Sequence, residues 1–184
     1  MPTPAARWQR VAGTFTDRVA GVPEGHWDDP APCEGWVARD VVRHLVDWFP
    51  PFLAQGSTLA VPVGASVDED PLAAWLPMCD GVRRILEDPD ASALAFDHPR
   101  AGRHRLDAAI GQFLTGDVLI HTWDLARATG QDERLDPQAV SEMYVGMQPM
   151  DEMLRGSGQF GPKVAVPEDS DEQTRLIAFV GRHP

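Results

Sequence analysis

Apolar residues recur at intervals of three and four along several segments of the chain, the period expected when one face of an α-helix is buried. The helices predicted in this way cover residues 4–21, 37–52, 72–86 and 106–128, a segment that begins near 136, and a short closing segment, 172–180. Pro50 and Pro51 should kink or end the second helix, because a proline inside a helix removes a backbone hydrogen bond. Asp136 and Pro137 are suited to a helix start, and Gly130 to a helix end.

Segments rich in proline, glycine or aspartate separate these helices, at residues 21–36, 56–70, 88–105 and 156–171. None of them alternates persistently between apolar and polar residues, and we expect extended structure only around residues 94–96. The pattern therefore predicts an all-α protein, with residues 1–184 as a single domain. Its architecture should be a four-helix bundle with long Pro/Gly-rich loops and a short C-terminal helix.

Composition narrows the choice of function. The 184 residues include 16 Lys and Arg against 28 Asp and Glu, for a net charge of −12. An acidic surface disfavours binding to nucleic acid or to an anionic membrane. The chain has no apolar stretch of membrane-spanning length, and residues 1–10 lack the apolar core of a signal peptide. Cys33 and Cys79 do not form a disulfide framework. We therefore predict a cytoplasmic protein without nucleic-acid or membrane partners.

Polar residues interrupt the apolar stripes of two predicted helices. On the 106–128 helix, Asp117 and His121 fall one turn apart on the face that also carries Ile110. On the 37–52 helix, His44 lies between Val41 and Trp48 on the buried side. An ionised carboxylate on a buried face is costly unless a partner compensates its charge.

A divalent metal bound by His44, Asp117 and His121 would satisfy all three groups. Helical bundles build metal sites from facing helices in this way, and three protein ligands leave a position open for water or substrate. The alternative is that His121 hydrogen-bonds Asp117 while His44 is a satisfied core histidine.

Two further carboxylates are placed to orient the imidazoles. Asp40 precedes His44 by four residues, and Asp124 follows His121 by three. Each could accept a hydrogen bond from the ring nitrogen that is not used for the metal. The alternative for each is a surface charge or a salt bridge, with Arg43 or Arg127 as partner.

The remaining histidines carry weaker signals. His98 and His104, with three arginines, make residues 98–105 a basic loop that could receive an anionic ligand or simply be solvated. His26 and His183 are best interpreted as solvated residues. Cys79 falls on the apolar stripe of the third helix and should be part of the core.

Three segments carry a family resemblance. PAPCEGWVARDVVRHLVDW (30–48), GDVLIHTWDLARATGQ (116–131) and RLIAFVGRHP (175–184) resemble the DinB-like superfamily, specifically the metal-binding domain of mycothiol-dependent maleylpyruvate isomerase and its small actinobacterial relatives. The resemblance implies a four-helix bundle whose metal ligands fall on His44, Asp117 and His121. The isomerase differs in two respects. It has Glu where this chain has Asp117, and it carries an additional C-terminal domain, which we do not expect in this chain of 184 residues.

The resemblance also implies a reaction. It favours a mycothiol-dependent transferase or isomerase that activates a small-molecule thiol toward a small electrophilic substrate. The expected metal is Zn²⁺, with Ni²⁺ or another divalent ion as the alternative, and the protein would be a monomer or homodimer. Two other functions stay open: a metal-dependent hydrolase, and a non-catalytic bundle that binds a metal or ligand.

Overall fold

The computed structural model describes residues 2–156, 158 and 160–184, and most of them are helical. In chain order the helices are α1 (Pro4–Ala20), α2 (Ala38–Gly56), α3 (Pro71–Glu87), α4 (Pro89–Ala93), α5 (Leu106–Ala109), α6 (Gly116–Thr129), α7 (Pro137–Met147), α8 (Asp151–Gly156) and α9 (Glu172–Phe179). The other regular elements are strands β1 (Ala95–His98) and β2 (Gly102–Arg105), 3₁₀ turns at His26–Asp28 and Gln148–Met150, and a π-helical segment at Ile110–Thr115. The predicted loop 156–171 includes Ser157 and Gln159, which lie outside the described residues.

Helix boundaries follow the capping residues of the sequence. Asp70 and Asp136 each accept a hydrogen bond from the backbone N–H three residues on, at the first turns of α3 and α7. Pro71 and Pro137 come next, where a helix needs no backbone N–H. Gly130 ends α6 with a φ of +66°, a conformation that glycine adopts without strain. The predicted helix start at Asp136 and Pro137 and the predicted helix end at Gly130 are confirmed.

The second helix is longer than one reading of its prolines allows. Of the two predicted effects of Pro50 and Pro51, a kink or an end of the helix, the second is wrong, because α2 continues to Gly56. Phe49 and Leu53 stay buried on either side of the prolines. Packing of this apolar face outweighs the backbone hydrogen bonds that the prolines remove.

The sequence predicts one uninterrupted α-helix over residues 106–128, but the structure divides this segment into three parts. Between α5 and α6 the chain forms the π-helical segment Ile110–Thr115. In a π-helix each backbone hydrogen bond joins residues five apart instead of four, so the turn is wider. The Thr115 hydroxyl donates to the carbonyl oxygen of Ile110, five residues earlier, at 3.2 Å. The wide turn ends directly before Gly116 and Asp117, so it sets the rotation of the helix that carries the candidate site.

Residues 88–105 are more ordered than the predicted loop. After the short helix α4, β1 and β2 pair antiparallel, with Phe96 opposite His104 and His98 opposite Gly102. Phe96 and His98 are buried against α2. Strands of four residues offer two inward positions each, too few to produce a recognisable alternation in sequence.

The core lies between α1, α2, α3 and α6. Both α1 and α2 pack against α3 and against α6, while α7 packs against α9 at one side. Trp8, Phe15, Trp75 and Trp123 are among the large side chains that this packing buries. Across the described residues, no helix combines the length and the apolar character needed to cross a membrane.

Candidate metal centre

Three polar side chains from two core helices meet between α2 and α6. His44 Nε2 lies 3.1 Å from Asp117 Oδ2, and His121 Nε2 lies 3.4 Å from Asp117 Oδ1. The two imidazole ring centres are 4.9 Å apart. One potential ligand atom from each of the three residues lies within 4.8 Å of the other two. The structure thus brings together the residues that helical spacing selects from the sequence.

The cluster sits at the edge of the core rather than at its centre. The side chain of His121 is 5% exposed, whereas those of Asp117 and His44 are 26% and 33% exposed. The exposed side opens into a groove, whose walls include Trp36, Asp40, Arg43, His44, Asp47 and Trp48. A small molecule can therefore approach the cluster through this groove, which His44 lines.

Two tryptophans, interpreted from the sequence as packing or not singled out, contact the cluster. Trp48 Nε1 donates a hydrogen bond of 2.9 Å to Asp117 Oδ2, the oxygen that also faces His44. The Trp36 ring stacks on His121 with an interplanar angle of 18°, and its centre lies 5.1 Å from that of His44. One signal for Trp48 is in the sequence: it follows His44 by four residues and so shares its helix face.

The charges of the cluster favour a cation. Burial alone would raise the pKa of Asp117, but His121 and His44 hold it well below its usual range. Burial alone would lower the pKa of His121, but Asp117 and Asp124 raise it well above its usual value. Without a metal, a proton on His121 therefore provides the positive charge that the carboxylates demand.

The donor set suits a divalent metal. Imidazole nitrogen and carboxylate oxygen are ligands of zinc and of neighbouring transition metals, and potential ligand atoms of His44, Asp117 and His121 lie within 4.8 Å of one another. Three such ligands would leave one coordination position open, and the groove beside His44 leads to the cluster. The chemistry of the residues present thus fits a metal ion with an open coordination position.

The two carboxylates proposed to orient the imidazoles occupy different places. Asp124 is fully buried and accepts a hydrogen bond of 2.9 Å from His121 Nδ1, which directs the opposite ring nitrogen toward Asp117. Asp40 accepts hydrogen bonds from the Val37 backbone N–H and from Arg43 Nε, at 3.0 and 3.3 Å. Asp40 therefore lies at the start of α2 and in the groove wall, paired with Arg43.

Sequence reasoning gave no role to Arg182. Its guanidinium group donates to both oxygens of Asp124, from Nε at 3.2 Å and from Nη2 at 2.9 Å. Nη2 also lies 3.3 Å from the sulfur of Cys33. Cys33, His121 and Asp124 form a second group with metal-ligand geometry, but the guanidinium already supplies the cation there. The resemblance of the segment 175–184 was the only signal that this part of the chain matters.

The basic loop forms the hairpin rather than an open anion site. His98 is buried, and its Nδ1 accepts hydrogen bonds from the backbone N–H groups of Arg100 and Ala101. Arg103 pairs with Asp97 within the hairpin, at 3.3 Å. A similar contact, Arg105 with Asp107, is 3.0 Å long. Most of the positive charge is thus neutralised locally. His26 is exposed and pairs with Asp29.

Fold and site together define a helical protein with a histidine–carboxylate candidate metal centre between two core helices. The family model described as mycothiol maleylpyruvate isomerase N-terminal domain matches residues 8–126, and the chain belongs to this DinB-like family. The matched segment includes His44, Asp117, His121 and Asp124 and ends before Arg182. The family is associated with metals and with mycothiol.

Two curated proteins resemble the chain over nearly its full length. They are uncharacterised proteins of Mycobacterium tuberculosis, one from strain H37Rv and one from strain CDC 1551. Each is 30% identical over 186 residues, a match that covers 97% of this chain and 97% of the relative. No solved structure matches the chain.

Proposed function

We propose that the protein is a metal-dependent enzyme that activates a low-molecular-weight thiol, mycothiol, for transfer to a small electrophile or for its isomerisation. The observation that carries the proposal is the convergence of His44, Asp117 and His121 beside an accessible groove that His44 lines. We name mycothiol as the thiol because the chain belongs to a mycothiol-related family. Four core helices arranged as the DinB-like bundle, in one domain over residues 1–184, complete the proposal.

His44, Asp117 and His121 would hold the metal, and Zn²⁺ is the ion expected first, with Ni²⁺ as the alternative. A metal ion held there supplies an electrophilic centre that lowers the pKa of a bound thiol, about 8.5 when free, so that the reactive thiolate forms at neutral pH. Asp124 keeps the His121 Nδ1 proton in place, which leaves Nε2 free as a donor atom. Trp48 holds one oxygen of Asp117 and restricts how that carboxylate can turn.

The groove would receive the rest of the thiol and the electrophile. Trp36 and Trp48 flank His44 and shield it from bulk water on two sides. Asp40, Arg43 and Asp47 provide polar contacts at the groove wall. We further propose a cytoplasmic protein, monomeric or homodimeric, because low-molecular-weight thiols stay reduced in that compartment and Cys33 and Cys79 are both free.

The test is metal analysis followed by thiol titration. Protein purified without chelator and without a histidine tag should contain about one divalent ion per chain. His44→Ala and His121→Ala should lose that ion, whereas His26→Ala, an exposed histidine outside the cluster, should keep it. Replacement of the ion by Co²⁺ would then let thiol binding be followed through a thiolate-to-cobalt charge-transfer band.

The outcomes separate the proposal from its two alternatives. A charge-transfer band that appears with mycothiol and not with its oxygen analogue supports thiol activation. Loaded protein that binds no thiol but hydrolyses esters or amides points to a hydrolase. Metal that leaves only when the protein unfolds points to a structural ion. Retention of metal in both core histidine variants would refute the site itself.

A further inference from the structure

The C-terminal segment supplies a buried charge to the candidate metal centre. Arg182 is separated from Asp124 by 58 residues, yet its side chain is only 15% exposed and it contacts both oxygens of that carboxylate. Asp124 itself is fully buried. A two-point contact between a guanidinium and a carboxylate fixes the plane of the carboxylate as well as its position.

The local structure after α9 directs Arg182 toward the site. The backbone N–H of Arg182 bonds to the carbonyl of Ile177, and that of Gly181 bonds to the carbonyl of Ala178, the pattern that closes a helix with glycine. Gly181 has a φ of +88°, and a Cβ on it would lie 3.1 Å from the backbone of Gly161. Only glycine fits this turn, after which the Arg182 side chain reaches Asp124.

Asp124 transmits this contact to His121. The same oxygen, Oδ2, accepts from Arg182 Nη2 and from His121 Nδ1, both at 2.9 Å. With Arg182 in place the carboxylate cannot rotate away from the imidazole, and the ring is held with Nε2 toward Asp117, at 3.4 Å. Groups that hold a metal-ligating histidine in this way affect metal affinity as well as orientation.

We propose that Arg182 is a positioning residue of the candidate metal centre: by clamping Asp124, it fixes the His121 imidazole in the orientation that binds a metal ion. The inference rests on the proposed function, since it concerns the same metal. It adds that the last turn of the described chain, beyond the segment matched by the family model, belongs to the site.

The test measures the dissociation constant of Zn²⁺ by competition with a chromophoric chelator, for protein that circular dichroism shows to be folded. Arg182→Met should weaken Zn²⁺ binding about tenfold or more. Asp124→Asn should weaken it by a similar factor. Adding Arg182→Met to Asp124→Asn should cause little further loss, because the arginine acts through that carboxylate. Arg182→Lys keeps the charge without the two-point contact and should fall between wild type and Arg182→Met.

A matched control is available in α1. Arg10 makes an ion pair of the same length, 2.9 Å, with Asp136, and contacts none of the three candidate ligands. Arg10→Met should therefore lower the free energy of unfolding but leave the dissociation constant for Zn²⁺ unchanged. A purely structural role for Arg182 predicts instead that both variants lose stability and neither loses affinity.

The results distinguish this inference from the proposed function. Wild type that binds Zn²⁺, together with an Arg182→Met variant of equal affinity, overturns the inference and leaves the proposed function standing. Wild type that binds no divalent ion overturns both. If Arg182→Met does not fold, Arg182→Lys and the charge-balanced pair Asp124→Asn/Arg182→Gln replace it. Wild-type affinity in both of these variants would then overturn the inference.

Discussion

The two oxygens of Asp117 face different neighbours in the candidate site. Oδ2 accepts from Trp48 and faces His44, while Oδ1 faces His121. An aspartate is one methylene shorter than a glutamate, so the donors around it must lie close to the α6 backbone. The Trp48 indole does this from the neighbouring helix. At the scale of single residues, the site depends on donors that keep this carboxylate in one orientation.

The Trp48→Phe variant tests that dependence. It keeps an aromatic ring and removes the N–H that donates to Asp117, together with part of the ring volume, a loss that the Trp36→Phe control shares. A hydrogen bond to a charged group contributes about 1.5–3 kcal/mol, so we expect a loss of up to this size in the free energy of unfolding of metal-free protein, measured with urea. Zn²⁺ affinity should fall as well. Trp36→Phe is the control, since Trp36 lines the same groove but only stacks on the histidines.

Metal binding should depend on pH through His121. Its raised pKa means that metal-free protein carries a proton there, which must leave before the ring can bind a metal. Zn²⁺ affinity should therefore rise with pH, by close to tenfold per pH unit while one proton is released, until the pH passes the raised pKa of His121. The apparent dissociation constant, measured in a pH series, checks this. A flat profile would contradict a protonated His121, and His26→Ala should retain the wild-type slope.

The same pKa shifts govern the stability of metal-free protein. The raised pKa of His121 stabilises the fold below the pKa of unfolded histidine, about 6.5, and this contribution is lost as pH rises through the folded value. The lowered pKa of Asp124, which His121 and Arg182 hold down against the effect of burial, stabilises the fold above about pH 4 and is lost in acid. Urea unfolding should thus show a maximum near or below neutral pH, which excess Zn²⁺ shifts upward. A maximum above pH 8 without metal would contradict this.

At the scale of elements, the hairpin is fitted closely against the end of α2. A Cβ on Gly56 would lie 2.2 Å from the ring of Phe96, which is buried between β1 and the helix. Gly13, within α1, has no neighbouring atom within 4 Å of such a Cβ. The two glycines therefore offer a matched pair of substitutions with opposite expected effects.

Gly56→Ala should lower the free energy of unfolding by about 1–3 kcal/mol, because the added methyl forces Phe96 to move. Gly13→Ala should raise it by roughly 0.5–1 kcal/mol, because alanine restricts the unfolded chain and favours a helix. Urea or thermal unfolding of both variants gives the answer. A neutral Gly56→Ala would mean that the hairpin is free to shift away from α2.

The sequence predicts elements well where the signal is local. The period of three and four predicts His44 on α2 and Asp117 and His121 on α6, and Asp136 marks the start of α7. The sequence does not predict the π-helical turn, because one extra residue within a helix changes the period of the apolar residues too little to be recognised. The extended structure expected around residues 94–96 overlaps β1, but strands of four residues are too short for the pairing with β2 to be predicted. The contact of Arg182 with Asp124 joins positions 58 apart in sequence, and no local pattern encodes such a contact.

At the scale of the whole molecule, the hydrophobic core and the candidate site are formed by different sets of side chains. Trp8, Phe15 and Trp75 pack among α1 and α3, away from the candidate metal ligands. The fold should therefore survive metal removal. Dialysis against a chelator should leave the far-ultraviolet circular dichroism spectrum unchanged, while the melting temperature falls by the amount expected from loss of a bound ligand. Outright unfolding on chelation would instead mark the metal as a structural requirement.

The ion pair between Arg182 and Asp124 also contributes to the net charge of the buried groups at the candidate site. In metal-free protein the charges of Asp117, Asp124, Arg182 and protonated His121 sum to zero. Exchange of the His121 proton for a divalent ion leaves one uncompensated positive charge, which a low-dielectric surrounding disfavours. A ligand that arrives as a monoanion restores neutrality, whereas a neutral one does not. Loading the protein and then adding a thiol should thus release two protons in succession, one at each step, countable by calorimetry in buffers of different ionisation enthalpy.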